Sequence, residues 1–84
     1  MKLKFYTDPG HGWVSVKREL LKEYGISDQI SSCSYQKGNT VYLEEDCDAP
    51  ALVSKIAMKG IVVEYATSHT DCRSPIRSYE SYKA

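Results

Sequence analysis

The dipeptide Gly38-Asn39 constrains the fold of this chain more than any other feature, because it separates two runs that have the composition of β-strands. The runs cover residues 32–37 and 40–45 and contain tyrosine, threonine, valine and leucine. A two-residue loop of this type is typical of the primed turns that close β-hairpins. The sequence therefore predicts an antiparallel hairpin centred on this loop.

The register of the hairpin assigns its side chains to two faces. If Lys37 pairs with Thr40, then Tyr35 lies opposite Tyr42 on one face, since side chains alternate along a strand. The residues that point to the other face, which we expect to meet the core, are Val41 and Leu43.

The apolar periodicity predicts two more strands and two helices. Strands are predicted over residues 2–7 and 61–67, the first because it alternates and the second because it is rich in β-branched and aromatic residues. One helix is predicted from an N-cap at Ser15 to a C-terminal glycine at Gly25. The second is predicted from a cap at Asp48, followed by Pro50, to residue 60.

The resulting order, β-α-β-β-α-β, is that of the split or ferredoxin-like α+β fold. Right-handed crossovers would give an antiparallel sheet with both helices on one face. The run from Trp13 to Val16 either forms an extra short strand beside the first strand or leads directly into the first helix. The other sheet face would be open, and its aromatic residues would be Tyr6, Tyr35 and Tyr42.

Residues 1–84 are expected to form a single domain. After His69 the composition becomes polar, with no sustained apolar period, so residues 70–84 are expected to be a tail outside the core. A core of this size contributes little net stability, so a homo-oligomer is expected to bury more apolar surface.

Charge and hydropathy exclude several functions. The 11 basic and 11 acidic side chains cancel, which argues against binding to long nucleic acid through a global positive field. There is no apolar run of about 20 residues and no signal-type stretch after Met1. We therefore expect a cytoplasmic protein that has no membrane partner.

The three cysteines, Cys33, Cys47 and Cys72, form no CxxC pair and are expected to be separate reduced thiols. His69 and Cys72 make only half of a zinc pattern, so no metal site and no cofactor are predicted. The carboxylates of residues 44–48 are explained by capping of the second helix.

Three groups of residues are candidates for ligand binding. The first is the tyrosine face, on which a nucleobase could stack unless the tail or a second subunit covers it. The second is the tail, where Arg73 and Arg77 could hold a phosphate, or which could be a solvated terminus. The residues near those arginines that could assist are His69 and Tyr79.

The third group lies in the glycine-rich turn before the predicted helix. His11 stands between two glycines and next to the single tryptophan, Trp13. Glycines permit a close approach of a ligand to the backbone, but the pattern fits neither known glycine-rich phosphate motif, and a tight turn with an exposed histidine explains it better. No nucleophile–base pair or paired catalytic carboxylates can be assembled, so the protein is not expected to be an enzyme.

Several segments together resemble a group of short proteins carried by tailed phages and prophages. The segments are PGHGW, SYQKG, YLEEDCDA, KGI and RSPIRSYESY, and the resemblance covers nearly the whole chain. It implies a phage accessory protein, and an inhibitor of host defence that sequesters a small nucleotide signal is the leading expectation. The alternatives are an inhibitor that contacts a host protein directly and a binder of single-stranded nucleic acid.

Overall fold

The structure, a computed structural model, describes all residues from 1 to 84. In chain order the elements are β1 (Lys2–Thr7), β2 (Gly12–Lys17), α1 (Arg18–Glu23), β3 (Tyr35–Lys37), β4 (Thr40–Glu44), α2 (Ala49–Met58), β5 (Glu64–His69) and β6 (Glu80–Ser81). Short 3-10 turns cover Ser27–Gln29 and Pro75–Ser78. Neither helix has the length and apolar composition that are needed to cross a membrane.

The strands form one mixed six-stranded sheet in the order β5-β1-β2-β4-β3-β6. β1 is parallel to β5, and all other neighbouring strands are antiparallel. Helix α1 connects β2 to β3, which lie on either side of β4, and helix α2 connects β4 to β5 across β2 and β1. The chain is an α+β domain.

This sheet differs from the predicted four-stranded, antiparallel ferredoxin-like arrangement. The run at Trp13 belongs to a full six-residue strand, β2, which separates β1 from β4. A tight turn connects β1 to β2. In this turn the Oδ1 atom of Asp8 accepts hydrogen bonds from the N–H groups of Gly10 and His11, each at 3.0 Å. Because this short loop costs little entropy to close, β2 pairs with β1 before a more distant strand can.

Both helices pack against the same side of the sheet, as the sequence predicts. They share one apolar cluster with alternate residues of β1, β2 and β4, which is the arrangement expected for a half-buried sheet. The buried members are Leu3, Val14, Val16, Leu21, Tyr24, Ile26, Ile30, Val41, Leu43, Ala49, Leu52, Ile56 and Tyr82.

The predicted hairpin register is confirmed. Lys37 pairs with Thr40, and Tyr35 pairs with Tyr42. Gly38 has a φ of +61° whereas its neighbour has a negative φ, the pattern of a type II′ turn. The core-facing residues of β4, Val41 and Leu43, are fully buried.

Helix α1 is shorter than predicted because its proposed cap lies in a strand. Ser15 belongs to β2, and the helix begins at Arg18 without a side-chain cap. Its predicted end is confirmed: Gly25 has a φ of +70°, and the Ile26 N–H donates to the Leu21 carbonyl at 3.0 Å.

Asp48 does not cap α2 with its side chain, although it occupies the N-cap position. Its buried carboxylate instead accepts the N–H and hydroxyl of Ser31 and the hydroxyl of Ser34. These bonds join the start of α2 to the loop before β3. The last long strand is also shifted, since β5 begins at Glu64 and the preceding Ile61 and Val63 pack against the core instead.

The C-terminal segment is not outside the core, so that prediction is wrong. Ile76 and Tyr82 are buried, and the Tyr82 hydroxyl donates to the Ser27 carbonyl at 2.7 Å. β6 pairs with β3 and extends the sheet. The segment passes over the sheet side opposite the helices before Tyr82 reaches the helix-side cluster.

Candidate functional site

We call the sheet side away from the helices the outer face. Its side chains come from the strand positions that alternate with the buried core residues. On β1 to β4 they are Lys2, Lys4, Tyr6, Trp13, Ser15, Lys17, Tyr35, Lys37, Thr40, Tyr42 and Glu44, and on β5 they are Glu64, Ala66 and Ser68. The C-terminal segment lies on one part of this face and leaves the rest open.

The covered half is centred on Trp13, which is only 2% exposed. The Tyr35 ring meets Trp13 edge-on, with centroids 6.4 Å apart. The Arg77 guanidinium lies 5.5 Å from the Trp13 ring centre, a cation–π distance. In this half the tail therefore covers the aromatic face, which was the alternative to base stacking.

Arg77 is held on Trp13 by a paired contact with Asp8. Its Nε and Nη2 atoms donate to the two carboxylate oxygens at 2.6 and 2.9 Å. The same carboxylate accepts the backbone N–H of Ser74 at 3.0 Å. Arg77, assisted by these backbone donors, holds the pKa of Asp8 well below its usual range. The pair ties the tail to the β1–β2 turn.

The open half contains a groove of about 560 Å³, a size typical of small-molecule sites. Its polar and aromatic lining residues are Lys2, Lys4, Tyr6, Ser15, Lys17, Thr40 and Tyr42. The three lysines are exposed, and none has a carboxylate within 4.0 Å. No acidic residue lines the groove. The open half is thus a concave surface of positive charge beside two tyrosines.

A second groove of about 280 Å³ continues from the first and shares Tyr6 and Tyr42 with it. The Tyr42 ring lies 6.3 Å from Tyr6 and 5.2 Å from Tyr79, measured between ring centres. Burial, together with the Tyr79 and Tyr6 hydroxyls, raises the pKa of Tyr42. His69 also lines this part, where its Nδ1 lies 2.7 Å from the Thr7 hydroxyl.

The structure divides the nine predicted ligand residues into separate groups. Those that line the continuous groove are Tyr6, Tyr42, His69 and Tyr79. Those that meet at the covered half are His11, Trp13, Tyr35 and Arg77. Arg73 is exposed and lines neither place, so the two tail arginines do not form one grip.

Sequence reasoning missed the lysines as ligand residues. The alternation of β1 places Lys4 beside Tyr6, so part of the signal was present. Lys17 joins them only because β2 pairs with β1, with Ser15 opposite Lys4. That pairing depends on the unpredicted length of β2.

The cleft at the covered half contains thiols and carboxylates. Cys33 and Cys47 line it together with Glu44, whose Oε1 lies 3.5 Å from His11 Nδ1. Neighbouring Cys33 and Glu44 raise the pKa of the Cys47 thiol to about 12. Glu44 also accepts the N–H groups of Asp46 and Cys47, so it caps the turn before α2 rather than the helix predicted for it.

Comparison with known proteins gave no relatives. No family model matches the chain, no curated protein matches it, and no solved structure matches it. The class of the protein is thus defined by the fold itself, an α+β domain with a six-stranded mixed sheet and two helices on one side.

Proposed function

We propose that this is a non-enzymatic binding protein that holds a small nucleotide in the open groove and sequesters it. The observation that carries the proposal is the group of three lysines without ion pairs, next to two tyrosines, in one concave surface. The resemblance to phage proteins supports a nucleotide signal of host defence as the ligand.

The lysines are suited to the phosphates. Lys4 and Lys17 stand on the neighbouring strands β1 and β2, so their ammonium groups can approach one anion from two sides. An ammonium that has no protein carboxylate nearby is free to pair with a ligand phosphate. The hydroxyl of Ser15, opposite Lys4, and that of Thr40, opposite Lys17, line the same groove and can donate further hydrogen bonds.

The tyrosines are suited to the base. Tyr6 and Tyr42 are half-buried and line both parts of the groove, so each presents ring surface to a ligand. Stacking of a base on an aromatic side chain contributes about 1 to 3 kcal/mol. The groove ends at the C-terminal segment, beside Tyr79 and Ile76, which suits a short ligand better than a long strand.

Calorimetric titration tests the proposal with AMP, ADP-ribose, a cyclic dinucleotide, adenosine and pyrophosphate as probes. At least one phosphorylated nucleotide should bind more tightly than adenosine or pyrophosphate, because only the nucleotide engages both lysines and tyrosines. Binding should weaken as salt is added, since the lysines are exposed. If no nucleotide binds, or if pyrophosphate binds as well as all of them, the proposal is wrong.

A matched pair of variants locates the site. The double change Lys4→Gln and Lys17→Gln should weaken nucleotide binding by about tenfold or more, because two phosphate contacts are lost. The control is Lys22→Gln with Lys55→Gln, which removes the same charge from exposed positions on the two helices. Equal affinity of both double variants would contradict the assignment of this groove.

Purification distinguishes sequestration from the alternatives. Protein isolated from cells that produce a nucleotide signal should release that nucleotide on heating, and mass spectrometry would identify it. A direct inhibitor of a host protein should release none. A single-stranded nucleic-acid binder should instead be retained on immobilised oligonucleotide at low salt.

A further inference from the structure

Strand β5 is an edge strand that is exposed along its whole length. All six residues of Glu64–His69 are exposed, although alternate residues point to opposite faces of the sheet. β1 lies on one side of the strand and no strand lies on the other. An edge of this kind offers unpaired N–H and C=O groups to a further strand.

The ladder to β1 shows which backbone groups are free. The Glu64 N–H donates to the Met1 carbonyl at 2.8 Å, and the Thr70 N–H donates to the Thr7 carbonyl at 3.0 Å. In a parallel ladder every second residue bonds to the neighbouring strand, so the even-numbered residues of β5 face β1. The residues whose N–H and C=O groups point outward are Tyr65, Thr67 and His69.

This edge lacks the devices that prevent strand pairing. β5 contains no proline and no lysine, and its register with β1 runs without a bulge from Lys2–Glu64 to Thr7–His69. The opposite edge of the sheet is protected, because β6 has only two residues and Lys83 follows closely. Short edge strands and charged side chains are the usual protection.

Apolar side chains lie beside the free edge on the helix side. Tyr65 is 47% exposed, Val62 is 74% exposed and Met58 is 81% exposed. A shallow groove beside them is lined by Val53 and Ala57 of α2 and by the segment before β5. A partner strand at this edge would therefore gain apolar contact as well as backbone hydrogen bonds.

We propose that β5 pairs antiparallel with β5 of a second copy of this chain, about a two-fold axis at Thr67. Thr67 then faces its own symmetry mate, and the two residues exchange their outward N–H and C=O groups as one hydrogen-bonded pair. Tyr65 lies opposite the second copy's His69, which gives two equivalent aromatic pairs. The two sheets become one continuous sheet, and the helices of both copies lie on the same side of it.

Charge and symmetry favour a second copy over a different partner. The register about Thr67 pairs all three outward-facing residues of one edge with those of the other, so the free backbone groups of both copies are satisfied together. Glu64 is the only acidic residue of β5, and antiparallel pairing keeps it about 20 Å from its mate, six residues along the strand. The 560 Å³ groove contains no residue of β5, so pairing at the strand edge leaves its lysines accessible, and dimerisation and phosphate binding can be tested separately.

Sedimentation velocity over a range of micromolar concentrations tests this pairing. The wild-type protein should be a dimer at the upper concentrations, and Thr67→Lys should be a folded monomer because two ammonium groups would meet at the axis. The control is Ser81→Lys, which adds the same charge to the opposite edge strand and should remain dimeric. A wild-type protein that is monomeric throughout would overturn the proposal.

A second variant and a hydrogen-exchange measurement test the pairing even if Thr67→Lys does not fold. Thr67→Pro removes only an outward N–H, so the ladder to β1 should survive and the dimer should be lost. Hydrogen exchange of the wild type should show amide protection at Tyr65 and Thr67 that falls on dilution. The copies would have to meet elsewhere if both Thr67 variants remain dimeric, or if the amide protection at Tyr65 and Thr67 does not depend on protein concentration.

Discussion

The covered and open halves of the outer face contain the same kinds of side chain in different states. In the covered half, the cation of Arg77 is matched by Asp8, and Trp13 is sealed under it. In the open half, Lys4 and Lys17 have no carboxylate partner and lie beside half-buried tyrosines. Basic and aromatic side chains therefore stabilise the fold where a carboxylate of the protein pairs with the cation. Where no carboxylate pairs with it, the same kinds of side chain are available to a ligand.

The largest effect is expected from breaking the anchor of the covered half. Asp8→Asn removes the charge that holds Arg77 and weakens the acceptor of three backbone N–H groups. We expect the melting temperature to fall by roughly 10 °C. Asp71→Asn is the control, since this carboxylate is exposed and pairs only with His69. Equal melting temperatures would mean that the tail is held by its apolar contacts alone.

Acid should reduce the stabilisation that the same anchor contributes to the folded state. The native pKa of Asp8 lies below its unfolded value of about 3.9. The unfolded chain therefore binds the proton more readily, and the stabilisation present above that value is lost as the pH falls below it. Fluorescence of Trp13, followed from neutral pH to about pH 2, should report this loss.

The matched variant for this titration is again Asp8→Asn. Glu44 also has a lowered pKa, so some acid dependence should remain in the variant. The contribution of Asp8 is the difference between the two titrations, and identical titrations would contradict it.

A smaller effect is expected at the hairpin, which supplies Tyr35 to the covered half and Tyr42 to the open half. Gly38→Val places a β-branched residue at a φ of +61° and should reduce the free energy of unfolding by about 1 to 3 kcal/mol. Lys37→Ala should cost less, since it removes only an exposed ammonium 4.9 Å from the Tyr79 ring centre. Chemical denaturation compares the two variants, and equal losses would contradict the turn assignment.

The smallest effect on stability is expected in the open half. Lys4→Gln with Lys17→Gln removes exposed charges that form no ion pair, so the free energy of unfolding should change by less than about 0.5 kcal/mol. The same double variant is the one expected to lose nucleotide binding. A large loss of stability would show that these lysines are structural, as Arg77 is, and would remove the distinction between the halves.

The parts of the fold that could be predicted depend on neighbours in the sequence. The hairpin at Gly38 and the helix ends at Gly25 and Gly60 were predictable because a positive φ is a local requirement that glycine meets. The strand order was not, because pairing of β2 with β1 and of β5 with β1 is decided by competition among distant segments.

The candidate site shows the same limit. Tyr6 and Tyr42 could be assigned to one face from the alternation of their strands, and they do line one groove. Whether an aromatic residue stays accessible depends on what packs over it, and a tail without apolar period gives no sign that Ile76 and Tyr82 will be buried.

By itself the sequence determined the hairpin turn, the glycine-terminated ends of the helices and the tyrosine face, since these follow from backbone preference and side-chain alternation. Only the tertiary structure decided which cations are free. Nothing near Arg77 or Lys17 in the sequence shows which of the two cations will be paired. Long-range packing brings Asp8 to Arg77 and brings no carboxylate to Lys17. A charge is available for binding only where folding leaves it unpaired, and that depends on contacts between residues far apart in the sequence.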